Sequence, residues 1–360
     1  MLNEQPRGNI GEWSELYTLG YLLVHGGAYA ADNQQNAIPE MFHRVLQVYL
    51  AGKNGHPETN YVIHENDVAI LVSGNEIARV ERSLIQAAIE SMLSQLTDGS
   101  HKKTFELVKG NELLKLIKRT KISASSSEHE NDLDLILEDQ VTKSPTPRVG
   151  FNIKSQIGGR STLLNASGAT NFIYRIVQPA EKTKKPYPEF QHGKHGQNLA
   201  ALYSSGFELE FETISNPTFY SNLTLLDMQF PNHLAKVLLN SYTTGNKKFA
   251  DVVNATFPAS DPNSRQPIFK LKEFLGAVAM GLRPNATWDG DTTKFSGILV
   301  VKPSGEIVFY YLYNRKNFEE HLYNNLAFER ASTSRHKYGE IYSENGVDKI
   351  MLNLQIRFTS

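Results

Sequence analysis

The chain has 360 residues, is 40% hydrophobic and contains no cysteine. That length and apolar content suffice for one large core or two modest ones, while the missing thiols exclude disulfides and thiolate metal sites and fit a reducing cytoplasm. Lys plus Arg number 37 against 38 acids, a net charge of −1, so a nucleic-acid ligand would demand segregated charge rather than a polycationic chain.

The N-terminus, MLNEQPRGNIGEWSELY, is polar and lacks the apolar centre of a signal peptide. No stretch reaches the roughly 18 apolar residues of a membrane helix, so the expectation is a soluble, cytoplasmic protein without a membrane partner. Glu12 to His25 has helical spacing, with Trp13, Leu16, Tyr17 and residues 19–24 as its apolar face. Asn60 to Val72 holds two strand-like runs, YVIH and VAILV. Glu76 to Leu96 reads as a long amphipathic helix, followed by a second from Asn111 to Arg119. The segment Ser123 to Asp132 is too polar to pack and is expected to be a loop.

From Leu133 the pattern turns to strands: LDLILED, VGFNIKS, FIYRIV and FELEFE. Pro231 to Tyr242 and Leu271 to Leu282 look helical, and Ser296 to Tyr313 reads as a hairpin. Asn314 to Phe328 is expected to be a helix and Lys349 to Phe358 a terminal strand. The interspersed helices and strands predict an α/β (α+β) protein with a mixed central sheet flanked by helices. It is read as one integrated unit, with a soft division near Ala180 to Gly193 that separates residues 1–185 from 186–360.

Asp132, Asp134, Ile136 and Glu138 share one face of the first strand, and Asn152, Lys154 and Gln156 share one face of the second. A turn centred near Lys143 and Ser144 would place Asp134 opposite Ile153, with Asn152 and Lys154 beside it. An acid to bind Mg2+ and a lysine to hold or activate water suit phosphodiester cleavage. Acids and a lysine on facing strands equally suit a solvated sheet face with cross-strand ion pairs.

The order Asp134, then Asn152-Ile153-Lys154 begins 18 positions on (152 − 134) and resembles the Asp-x(n)-(Asp/Glu)-x-Lys signature of the PD-(D/E)xK nuclease fold. The chain further resembles the HpaII-type family of restriction endonucleases. The likeness rests on GEWSELY with AAD downstream, GFNIKSQIGGRSTLLNASGATNFIY, YNRKNFEEHLYNN with STSRH, and LNLQIRF. The resemblance implies a PD-(D/E)xK restriction-endonuclease-like core and a type II restriction endonuclease. Such an enzyme would hydrolyse a short specific double-stranded DNA sequence with Mg2+ and leave 5′-phosphates. It also implies a homodimer on a palindromic site and a companion DNA methyltransferase in the genome. Asp134 and a helix glutamate, Glu15 first and Glu12 second, would bind the metal, while Lys154 positions water and Gln156 and Asn152 orient water or phosphate. Two features qualify this: Asn152 stands where a second carboxylate is usual, and Glu12 and Glu15 also suit a helix's first turn. The alternative is a sequence-specific DNA-binding protein with a degenerate nuclease site.

DNA contacts are expected from Arg160, Ser161 and Thr162 beside Gly158 and Gly159, and from Asn165, Ser167, Thr170 and Asn171. Further candidates are Arg330, Arg335, His336 and Lys337, and Asn353, Gln355 and Arg357 on one face of the last strand. The HGKHG segment at His192 to Gly196 lacks a carboxylate partner and reads as surface rather than a metal site.

Overall fold

The computed structural model describes residues 5–50, 57–99, 103–120, 122, 131–177, 186–191, 193–290, 295–311 and 315–359. Residues 123–130 of the expected polar loop, and residues 180–185 and 192 of the expected dividing segment, lie outside that set. The protein is a mixed α/β molecule of two compact units. Unit 1 comprises residues 1–161, 292–321 and 360, and unit 2 comprises 162–291 and 322–359. The boundary expected near residue 185 falls inside unit 2.

Unit 1 begins with β1 (Arg7–Gly8) and α1 (Ile10–His25). Asn9 caps α1: its side chain accepts from the Glu12 amide, and the Glu12 carboxylate accepts from the Asn9 amide at 2.7 Å. Gly26, at φ 65, closes the helix in the left-handed conformation. Then come β2 (Gly27–Ala31), β3 (Ala37–Leu50), β4 (Thr59–Ile63), β5 (Asp67–Val72), β6 (Asn75–Glu81), α2 (Arg82–Leu96), β7 (Phe105–Glu106), α3 (Val108–Leu116), β8 (Leu133–Leu137) and β9 (Val149–Ser155). The helix expected from Glu76 therefore starts only at Arg82. Ser73 and Gly74, both with positive φ, make a tight turn that pairs β6 with β5.

Unit 2 holds β10 (Thr162–Leu164), β11 (Asn171–Val177), α4 (His195–Ser204), β12 (Glu208–Ile214), α5 (Pro217–Leu226), α6 (Phe230–Thr244), α7 (Phe249–Thr256) and α8 (Arg265–Ala279). The chain then supplies β13 (Phe295–Val301) and β14 (Ile307–Tyr311) to unit 1, and α9 (Arg315–Asn325) follows. It ends in unit 2 with β15 (Leu326–Phe328), α10 (Thr333–His336), β16 (Ile341–Glu344), β17 (Val347–Asn353) and β18 (Ile356–Phe358). Two expectations are corrected here. The helix after residue 314 stops at Asn325, because Leu326 to Phe328 pair with β18. The terminal strand is broken at residues 354–355, where Leu354 N–H donates to Thr170 O and Gln355 O accepts from Glu329 N–H.

Among the described residues, nine strands of unit 1 form a mixed sheet in the order β2-β14-β13-β9-β8-β3-β4-β5-β6, and β1 pairs separately with β7. β9 pairs antiparallel with β8 and parallel with β13. The long β3 serves β2 along its first half and β8 and β4 along its second, so the strand order returns on itself. Odd-numbered residues of β8 and β9 (Leu133, Leu135, Leu137, Phe151, Ile153) join Trp13, Leu16, Leu23, Ile89 and Leu113 in one core. Each fully buried side chain of this kind contributes about 1.5–3 kcal/mol. Period-two alternation then sends Asn152 and Lys154 to the other face. In unit 2, β12-β11-β17-β16 and β10-β18-β15 form two smaller sheets.

Candidate active site

The β8–β9 hairpin does not have the expected register. Asp134 pairs with Gly150, three residues short of Ile153 (153 − 150), and Leu133 pairs with Phe151. The connecting loop is the cause: the Asp139 carboxylate accepts from the Val141 and Thr142 amides at 3.0 and 2.7 Å, and Glu138 bridges to Pro145. This moves the turn toward the first strand. Extending the pairing one step places Asp132 opposite Asn152. Asp132 Oδ2 accepts from the Ile153 amide at 2.7 Å, and Asp132 N–H donates to Phe151 O at 3.1 Å. The acid beside Asn152 and Lys154 is therefore Asp132.

Asp134 is bound elsewhere. Arg148 Nε and Nη2 reach its Oδ2 at 2.9 and 2.8 Å, and Asn131 Nδ2 donates to Oδ1 at 2.9 Å. Parity in the sequence carries a signal for this. Cross-strand partners share a face, so an acid sharing a face with Asn152 and Lys154 pairs with an even-numbered residue, which a turn centred between 143 and 144 forbids.

Around this pair, Asn152 is 4% exposed and Lys154 is half-buried. β13 aligns Ile298 with Asn152 and Val300 with Lys154, and β14 aligns Tyr310 with Ile298. Tyr310 thus belongs to the same face, and its hydroxyl donates to Asp32 O at 2.6 Å. That bond draws the β2–β3 loop, Asp32 to Asn36, toward the face. Burial opposes ionisation of Asp32, but hydrogen bonds from Asn36 and Gln34 prevail and hold its carboxyl below the usual range. Gln156 Nε2 donates to Gln35 Oε1 in this loop at 2.9 Å. Asp32, Gln35 and Asp132 are the residues that the reading of site residues from sequence omitted.

α1 packs on the opposite face of β9, where Ser14 Oγ donates to Ser155 Oγ at 2.8 Å. Glu12 is committed to the helix cap, and Glu15 is half-buried one residue beyond Ser14. After β9, Gly158 has φ 74, and a Cβ there would lie 1.9 Å from Ile10 Cδ1, so only glycine fits. Ser161 Oγ donates back to Ser155 O, and Arg160 is exposed.

In unit 2 candidates from three stretches of sequence converge. Thr162 pairs with Arg357 across β10 and β18. Asn353 Nδ2 donates to Ser167 O at 2.8 Å, Asn171 Oδ1 at 2.7 Å and Thr170 Oγ1 at 3.2 Å. Asn171 Nδ2 donates to His336 O at 2.9 Å. Tyr242 OH donates to Asn353 O at 3.0 Å, and the Arg330 guanidinium stacks on the Tyr242 ring at 3.9 Å while reaching Ser241 O at 2.8 Å. Thr170, Asn171 and Asn353 are buried, whereas Asn165, Arg335 and Lys337 are exposed and Gln355 is half-buried. His195 stacks on Tyr338 at 5.2 Å; His192 lies outside the described residues.

A cavity of about 220 Å³ in unit 1, lined by Met41, His43, Leu137, Gln140, Phe309 and Tyr311, lies at the Leu137 end of β8. It is largely apolar and is distant along the strand from Asp132. Among the described residues no group of three or more His, Asp or Glu side chains is arranged as a metal cage, and no helix is long and apolar enough to cross a membrane.

Comparison with known proteins bears on this geometry. The HpaII restriction endonuclease family matches residues 9–358. The type II restriction enzyme HpaII of Haemophilus parainfluenzae is 36% identical over 358 residues, 98% of each chain. No solved structure matches. Type II restriction endonucleases generally use a divalent metal and act on double-stranded DNA. Likeness of this extent, across both units and both polar clusters, shows that the chain belongs to the HpaII restriction endonuclease family and is a type II site-specific deoxyribonuclease.

Proposed function

We propose that the protein hydrolyses both strands of a short palindromic DNA site as a Mg2+-dependent homodimer, leaving 5′-phosphate and 3′-hydroxyl ends, with the cleavage centre on the Asp132–Asn152–Lys154 face. The observation that carries this reading is the Asp132 carboxylate anchored on the Ile153 amide, between Asn152 and Lys154. The antiparallel β8–β9 hairpin flanked by parallel β13, with α1 against β9, supports a PD-(D/E)xK core.

The donor set fits a hard cation: one carboxylate and one amide oxygen suit Mg2+, which retains most of its water shell. Asp132 and Asn152 would hold the cation; Glu15, the further carboxylate that the family implies, belongs to α1 on the opposite face of β9, and Asp134 is assigned to Arg148 instead. When bound, the cation offsets charge on the phosphoryl oxygens. Lys154 donates hydrogen bonds to the attacking water and the scissile phosphate, and its charge complements the developing oxyanion. Gln156 orients that water through its amide. The exposed cations Arg160, Arg335 and Lys337 contact phosphates, and Asn165, Gln355 and Arg357 are candidates for base edges. Ser161, Thr162, Ser167, Thr170, Asn171, Arg330, His336 and Asn353 shape the surface from which those contacts are made. A companion methyltransferase would protect the host's own sites.

The test is digestion of unmethylated phage DNA with and without Mg2+, comparing wild type, Asp132→Asn and Lys154→Ala. Discrete fragments that need the metal and vanish in both variants support the reading. Intact cutting by either variant would remove this face from the chemistry.

A further inference from the structure

We propose that Gln35, in the β2–β3 loop, is a positioning residue for DNA cleavage that acts through Gln156; this rests on the Asn152–Gln156 face being the cleavage site. The loop is rigidly built. Asp32 Oδ1 accepts from the Gln34 and Asn36 amides, both at 2.8 Å, and Asp32 Oδ2 accepts from Asn36 Nδ2 at 3.1 Å. The backbone closes with Asp32 N–H on Asn36 O at 3.0 Å and Gln35 N–H on Asp32 O at 3.2 Å. Asp32 O also receives the Tyr310 hydroxyl, and the Tyr310 ring stacks at 4.0 Å on His321, which is fully buried. The loop is thus fixed to the sheet face that carries Asn152 and Lys154.

Within that frame Gln35 has φ 68, the left-handed region where glycine or asparagine is ordinary and glutamine is disfavoured. Glycine would satisfy the turn better, so glutamine brings a side chain that the turn itself does not need. That side chain reaches Gln156, whose Nε2 donates to Gln35 Oε1 at 2.9 Å.

An amide can rotate by half a turn and exchange its donor and acceptor ends at little steric cost. The bond to Gln35 couples the two amides, so that Gln156 cannot turn over unless Gln35 turns with it. It spends one Gln156 N–H on the loop and directs the Gln156 carbonyl oxygen away from Gln35, as a fixed acceptor. A fixed acceptor two residues beyond Lys154 can hold one proton of the attacking water while Lys154 donates to its oxygen. Without Gln35 the amide samples both orientations, and the flipped one presents donors where an acceptor is needed.

The experiment is steady-state cleavage of a duplex carrying the site mapped from wild-type digestion, with wild type, Gln35→Gly, Gln35→Glu, Gln156→Ala and the Gln35→Gly/Gln156→Ala double variant. Gln35→Gly keeps the left-handed backbone at no cost, so its melting temperature should equal or exceed that of wild type. Its kcat should nonetheless fall about 10- to 100-fold, with KM for the duplex within about twofold, as expected when a supporting hydrogen bond to a working group is removed. Gln35→Glu, which keeps an acceptor oxygen at the same reach, should retain more activity than Gln35→Gly. The double variant should be no slower than Gln156→Ala. Wild-type kcat in Gln35→Gly, or multiplicative losses in the double variant, would overturn the proposal. Lys154→Ala and Asp132→Asn run alongside: if both are inactive while Gln35→Gly is not, only the role of Gln35 fails. If they cut normally, the cleavage face is wrong and the proposal falls with it.

Discussion

Two amide-rich clusters, one in each unit, draw on similar residue types for different ends. Around Asn353 the amide protons are spent inside the fold, on Ser167 O, Thr170 Oγ1 and Asn171 Oδ1. They secure the break between β17 and β18. On the β9 face, Gln156 bonds another side chain, and a carboxylate and a lysine stand in the same row. An amide whose protons are taken up by oxygens packed around it within the fold is structural. An amide beside an acid and a lysine on a sheet face is placed for a ligand. The difference lies in the neighbours that each fold supplies.

The largest effect that can break this comparison is on catalysis. Lys154→Ala and Asp132→Asn should each lower kcat about 10²- to 10⁴-fold, the range for losing a proton-handling or charge-stabilising group. DNA binding in a gel shift without metal should persist. If Asn353→Ala, compared at equal folded fraction, lost as much rate, the unit 2 cluster would be part of the chemistry and the contrast would collapse.

Next in size is an acid effect that should fall on unit 1. His43 and His321 are both pushed down to about 4 by burial. The folded state holds them neutral, while the unfolded chain protonates them near 6.5. Stability is therefore full above about pH 6.5 and falls as the pH drops toward about 4. Each histidine accounts for a loss on the order of 3 kcal/mol. Trp13 lies in the unit 1 core and Trp288 in unit 2. Urea melts of a Trp288→Phe variant, followed by Trp13 fluorescence, should shift strongly between pH 7 and pH 5. Melts of Trp13→Phe followed by Trp288 should shift less. Equal shifts would mean that the units do not melt separately.

Smaller again is Asn353→Ala itself. Removing a buried amide that serves three acceptors should destabilise the fold by about 2–3 kcal/mol, read as a lower urea midpoint. Per folded molecule, metal-dependent cleavage at low temperature should stay close to wild type.

How much of this was legible in sequence varied with the physics. The β8 and β9 strands, α1 and the β13–β14 hairpin were readable because each is a local pattern: alternation, an apolar helical face, a Pro-Ser-Gly turn. β2 and β3 were not, since β3 pairs with β2 along its first half and lies between β8 and β4 along its second and so shows no single alternation. The chemistry-bearing hairpin was found but its register was not, because register is set by the Asp139 loop rather than by the strands. Asn353, Gln355 and Arg357 shared a face only on the assumption of an unbroken strand. The bond that breaks it, Leu354 N–H to Thr170 O, spans 184 residues (354 − 170) and leaves no local trace.

The smallest expected effect tests that register most directly. Asp134→Asn and Asp132→Asn remove the same charge from the same face of β8, two residues apart. Asp134 is tied to Arg148, which also holds Glu58 at 2.7 Å and lies 4.3 Å from the centre of the Tyr49 ring. Losing one partner of this partly exposed network leaves Arg148 anchored by the others. The cost should be no more than about 1 kcal/mol of stability, with kcat within about tenfold of wild type. Asp132→Asn should leave the urea midpoint nearly unmoved, since an amide oxygen can still accept from Ile153, yet lower kcat about 10²- to 10⁴-fold. The opposite assignment, an inactive Asp134→Asn with an active Asp132→Asn, would mean that the hairpin works in the register that the loop chemistry argues against. Charge would then have to leave Arg148 for the metal when DNA binds, and Arg148→Ala would accelerate cleavage rather than leave it unchanged.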